Sequence, residues 1–67
     1  MFKYFIDNIA VDEQTFNITL MNEICSEFNN DNCDLEQAFV IDYLESEAKE
    51  GHYEPQVYGK SSFLITL

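Results

Sequence analysis

One segment limits the possible folds more than any other. Residues 34 to 50 read DLEQAFVIDYLESEAKE and are bounded by helix signals at both ends. Asp34 is placed as an N-cap, and Gln37, three residues on, completes a capping-box pattern. Gly51 suits the stop, with Lys49 in the last turn. The expected helix, Leu35 to Glu50, would run about 24 Å at ~1.5 Å per residue. In a chain of 67 residues that is close to the full width of a small domain, so everything else must be arranged along it. The apolar residues of the segment (Leu35, Phe39, Val40, Ile41, Tyr43, Leu44) cover more than one side, so it is expected to pack against both a sheet and a second helix.

The second helix is expected upstream. Asp12 stands as N-cap and Glu13 to Phe28 as the body, with Val11 and Phe16 at the positions of a hydrophobic staple. Phe16, Leu20, Ile24 and Phe28 recur every four residues, with Met21 and Cys25 beside them. A strand over Thr15 to Leu20 competes, because Phe16, Ile18 and Leu20 alternate with Asn17 and Thr19. The run Asn29-Asn30-Asp31-Asn32 breaks the pattern, since short polar side chains compete with the helical backbone.

Strands are expected at the two ends. Phe2 to Ile6 is short and aromatic, with Phe2, Tyr4 and Ile6 on one face. Gln56 to Tyr58 and Ser62 to Leu67 flank Gly59-Lys60-Ser61 and read as a hairpin, with Phe63, Ile65 and Leu67 toward the core. The order is β-α-α-β-β. The fold class is α+β: a single domain over residues 1–67, two helices on a two- to three-stranded antiparallel sheet. A chain this short buries only about 60% of its unfolded surface, but 46% apolar residues, including six Phe and four Tyr, are enough for a compact core.

Charge is the strongest functional clue. There are 13 acidic residues, three lysines and no arginine, for a net charge of -10. Six Asn against three Lys suggest that positive charge is kept out, since both residues have AT-rich codons. Direct binding of nucleic acid or an anionic membrane needs Lys and Arg, so the expected partner is a basic protein. No segment approaches the roughly 20 apolar residues of a membrane span. The start, MFKYFIDN, is no secretory signal. The expected location is the cytoplasm, of a host cell if phage-encoded, with Cys25 and Cys33 reduced.

Catalytic and metal chemistry find little support. Cys25, Cys33 and His52 are the only soft ligands, and the eight-residue cysteine spacing is not a zinc knuckle. Asn29 to Glu36 fails the calcium-loop pattern, because its Gly and bidentate Glu do not line up. His52, the one histidine, sits just after a helix end, and there is no phosphate loop and no arginine clamp. No cofactor, metal or enzyme activity is expected.

The carboxylates remain. Asp34 and Glu36 have a structural reason at a helix N-terminus. Asp42, Glu45, Glu47 and Glu50 do not, although Glu45 can pair with Lys49. Glu23 and Glu27 form a like-charge pair that Asp31 would extend. Carboxylates one turn apart lie about 5.4 Å apart along the axis and roughly imitate a row of phosphates. Tyr53 and Tyr58, around Pro55, form a candidate contact edge. The expected partner-binding set is Glu23, Glu27, Asp31, Asp42, Glu45, Glu47, Glu50, Tyr53 and Tyr58.

In small size, strong acidity and absence of motifs the chain resembles phage and mobile-element inhibitors of host defence, such as anti-CRISPR, anti-restriction and uracil-glycosylase inhibitor proteins. The likeness is one of composition, shares no motif and transfers no residue. It implies a DNA mimic that occupies the basic groove of a nuclease or surveillance complex. Two other classes are expected alternatives: an antitoxin or immunity protein against a basic toxin, and a structural or assembly subunit.

Overall fold

The computed structural model describes residues 1–28 and 33–67, the side chains of Glu27 and Phe28 excepted. Six elements follow in the order β1 (Lys3–Ile6), β2 (Ile9–Val11), α1 (Glu13–Phe28), α2 (Cys33–Lys49), β3 (Gln56–Tyr58) and β4 (Ser61–Thr66). The four strands form one antiparallel sheet in the order β2-β1-β4-β3, and both helices pack on one of its faces. The α+β architecture matches the sequence reading, with one more strand than expected.

The extra strand is β2. Asp7 and Asn8 both have positive φ, 51° and 68°, the pattern of a type I′ two-residue turn. Asp and Asn tolerate that region better than other non-Gly residues, so they fold β2 back on β1. The Asp7 amide then donates to the Ser62 carbonyl, and the Ser62 amide donates to the Asp7 carboxylate, both at 3.0 Å. That exchange ties the turn to β4.

Residues 15–20 are helical, which settles the ambiguity of that segment in favour of α1. Asp12 caps it: its carboxylate accepts the Thr15 amide at 2.7 Å. Phe16, Leu20 and Ile24 are fully buried. They meet Val40, Leu44 and Ala48 of α2 and Phe63 and Ile65 of β4, with Val11, Tyr4 and Ile6 packed at the margin. Phe16 is central. Its ring lies 5.1 Å from Tyr4 and 5.5 Å, edge-on, from Phe63, an arrangement worth about 1 kcal/mol per pair beyond area burial.

Several local expectations are corrected. Helix α2 begins at Cys33, so Asp34 lies inside its first turn and is not the cap. Gln37 does not reach back to complete a capping box. Its amide donates to the Asn17 carbonyl of α1 at 2.7 Å and cross-links the helices. Leu67 lies beyond β4 and is exposed. Cys25 and Cys33 are joined as a disulfide, with Cα atoms 5.3 Å apart. They are neither reduced thiols nor, for Cys33, a loop position. The end of α1 and the start of α2 meet side by side, which brings two residues eight apart within bonding reach. No helix among the described residues is long and apolar enough to cross a membrane.

Candidate protein interface on helix α2

Helix α2 carries two apolar stripes, and the sheet layer can cover only one. Val40, Leu44 and Ala48 are buried and form the packing stripe. Leu35, Phe39 and Tyr43 lie about 100° around the helix from it and point outward, at 55%, 59% and 49% exposure. They stand one turn apart, so they form a continuous exposed ridge along α2. The sequence reading assigned Leu35 and Phe39 to packing, and counted Tyr43 both there and among the tyrosines too many to be all core. The spacing i, i+4, i+8, repeated one residue out of phase, was the available signal that one set must face solvent.

Carboxylates flank this ridge. By helical phase, Asp42 lies on one side, Glu36 and Glu47 on the other, and Glu50 continues its line past the last turn. A short chain of contacts organises the C-terminal end. The Tyr43 hydroxyl donates to Glu47 Oε1 at 3.5 Å, and His52 Nδ1 lies 3.5 Å from Glu47 Oε2 and 3.9 Å from Glu50 Oε2. The helix stop explains why His52 is there. Gly51, with φ +79°, ends α2 in a Schellman motif, in which His52 N–H donates to the Glu47 carbonyl at 2.8 Å and Gly51 N–H to the Ala48 carbonyl at 3.0 Å. That turn folds the His52 side chain back beside Glu47.

Compensating cations are nearly absent. Among the described residues no carboxylate lies within 4.0 Å of a lysine ammonium. Lys49, expected to pair with Glu45, instead places its ammonium 6.0 Å from the centre of the Phe2 ring. Glu47 and Glu50 therefore stand at the negative end of the α2 dipole, where acidic groups are disfavoured. Among the described residues the one basic group within 4.0 Å of them is His52.

The remaining expected site residues scatter. Glu23 points away from α2, and its carboxylate accepts the Lys60 amide in the β3–β4 turn at 3.0 Å. Glu45 is half-buried on another side of the helix. There burial, then the nearby Glu13 and Glu45 carboxylates, push the Tyr4 phenol above its usual range. Tyr58 packs at the core margin, 6.3 Å from the Phe63 ring. Tyr53 is exposed in the segment between α2 and β3. The Glu27 side chain and Asp31 lie outside the described residues.

Two concave regions accompany these surfaces. One lies at the β1–β2 edge, lined by Phe2, Tyr4, Phe5 and Val11 with Asp12 and Glu13 at the rim. The other is a shallow depression between the helices at Ile18, Met21 and Gln37. Neither holds a cysteine or histidine. Glu47, Glu50 and His52 form the one group among the described residues whose ligand atoms come within 4.8 Å of one another, and all three lie at the surface end of α2.

The chain matches no known protein family, no curated protein and no solved structure.

Proposed function

We propose that the exposed face of α2 binds a basic, nucleic-acid-handling protein and blocks its groove. The supporting observation is the aromatic and aliphatic ridge of Leu35, Phe39 and Tyr43 set between carboxylates that have no lysine partner. Exposed large apolar residues in a row serve as contact anchors, and the flanking charges steer a basic surface toward them. From Glu36 through Asp42 and Glu47 to Glu50, the carboxylates advance about 7 Å on average at ~1.5 Å per residue. That is close to two phosphate steps of ~3.4 Å along one DNA strand. The face thus offers carboxylates on both flanks of a hydrophobic centre.

An inhibitor of a CRISPR nuclease, a surveillance complex or a restriction enzyme would use such a face. An immunity protein against a basic toxin would use the same residues. The test is capture from nuclease-treated lysate on immobilised protein. The expected result is a basic nucleic-acid-binding protein that elutes with salt and with added duplex DNA. Capture that neither salt nor nucleic acid disrupts contradicts the mimic and favours the toxin reading.

A further inference from the structure

The end of α2 gathers two carboxylates and the chain's one imidazole. His52 Nδ1 lies 3.5 Å from Glu47 Oε2 and 3.9 Å from Glu50 Oε2, and one ligand atom from each residue lies within 4.8 Å of the others. An ion pair between His52 and Glu47 accounts for only one of these contacts. Glu50 adds a second negative charge three residues on, where like charges repel, at the helix end where the dipole also disfavours them. Lys49, the nearest lysine in sequence, carries its ammonium off to the Phe2 ring. Among the described residues no lysine comes within 4.0 Å of either carboxylate. The arrangement is short of a cation.

We propose that Glu47, Glu50 and His52 bind a divalent first-row transition ion of the zinc type, with water completing its coordination. The spacing fits. Donor atoms about 2.1 Å from a tetrahedral ion stand about 3.4 Å from one another. The His52–Glu47 pair is already at that separation. The His52–Glu50 pair has to close by about 0.5 Å to reach the tetrahedral spacing. Glu50 and His52 are 66% and 62% exposed, so their side chains are free to turn inward.

The surroundings orient the donors. The Schellman turn at Gly51 ties the His52 amide to the Glu47 carbonyl at 2.8 Å, which fixes the backbone spacing of two of the three ligands. The Tyr43 hydroxyl approaches Glu47 Oε1 at 3.5 Å and leaves Oε2 toward His52. An outer contact of that kind holds a ligating carboxylate in place.

The donor set selects the class of ion. An imidazole suits zinc, copper and nickel, whereas carboxylates alone suit magnesium and calcium. Calcium takes about six to eight oxygens, and two carboxylates supply few of them. Cys25 and Cys33 are committed to each other and offer no thiolate to compete for the ion. The site is open to solvent, so the ion exchanges readily. The inference concerns the isolated chain and does not depend on the partner reading of α2.

Calorimetric titration of the untagged, disulfide-bonded chain with zinc chloride tests this, followed in parallel by proton NMR of the His52 ring. That ring is the chain's only imidazole, so its signals need no assignment. The expected result is one zinc ion per chain with a Kd on the order of 10 µM, shifted His52 ring signals, and no displacement by a ~100-fold excess of magnesium. His52→Ala, Glu47→Gln and Glu50→Gln are each expected to weaken binding at least about tenfold. Asp34→Asn, at the other end of α2, leaves it unchanged. Melts without zinc check folding, and Glu50→Gln at its exposed position carries the test if another variant is destabilised. A Kd above about 1 mM, zinc binding that survives His52→Ala, or displacement by magnesium with unmoved ring signals overturns the inference and leaves diffuse attraction to carboxylates only.

Discussion

The Glu23 carboxylate on α1 accepts the backbone N–H of Lys60 at 3.0 Å across 37 residues of sequence. That bond fastens the β3–β4 turn to the helix layer, and it takes Glu23 out of the acidic face. Gly59 makes it possible. Its φ is +63°, and a Cβ there would collide with the Glu23 side chain.

Substitution at this contact therefore affects stability, with partner binding intact. Glu23→Ala is expected to cost about 1 kcal/mol, the usual scale for a hydrogen bond at a partly open site. Gly59→Ala is expected to cost roughly 1–2 kcal/mol, because it adds left-handed strain to the collision. Urea unfolding measures both. Partner capture at matched folded fraction should equal that of the unsubstituted chain.

The Cys25–Cys33 disulfide closes a short loop between the helices. Chain-entropy arguments for a loop of eight residues give about 2 to 3 kcal/mol. Thermal melts with and without a dithiol reductant should differ by that scale. Cys25→Ser should melt at the reduced-protein temperature and lose its response to reductant. An equal melt under both conditions would show that the pair contributes nothing to stability.

Asp12 gives a pH dependence of known sign. Hydrogen bonds from the Thr15 side chain and backbone hold its carboxyl below the ordinary carboxylate range. Because the folded value is the lower one, its contribution is fully present above the unfolded value of about 3.9. It is lost as pH falls through the folded value. Asp12→Asn retains a cap at neutral pH but should flatten the acid limb of the melting curve, measured from pH 5 downward.

Much of the fold is legible in the residues. The Phe16, Leu20 and Ile24 stripe, the Asp12 cap, the Gly51 stop and the Gly59 hairpin each carry a local signal that packing reinforces. Strand β2 is harder to read. It is three residues long, and its turn is Asp-Asn, without the glycine that usually announces a type I′ hairpin. The site is less legible still. Asp42 and Glu47 flank the exposed ridge of α2 on opposite sides, with Glu50 at its end, as the helical period implies. Glu23 is claimed by a contact 37 residues away in sequence, which no local pattern reveals, and Tyr58 is drawn onto the core margin beside Phe63. Leu35 and Phe39 look like core until the rival stripe of Val40, Leu44 and Ala48 is seen to take the interior.

The most direct test compares the unsubstituted chain with Phe39→Ala/Tyr43→Ala and with Asp42→Lys/Glu47→Lys, titrated against the captured partner with and without competing duplex DNA. All four positions lie outside the buried core, so melts should stay within about 0.5 kcal/mol of the parent. The account predicts at least a tenfold loss of affinity for each double variant, about 1.4 kcal/mol or more. It also predicts a shallower salt dependence for the charge reversal alone, and mutually exclusive binding of protein and DNA. Undiminished affinity in both variants, or a ternary complex with DNA, would contradict it.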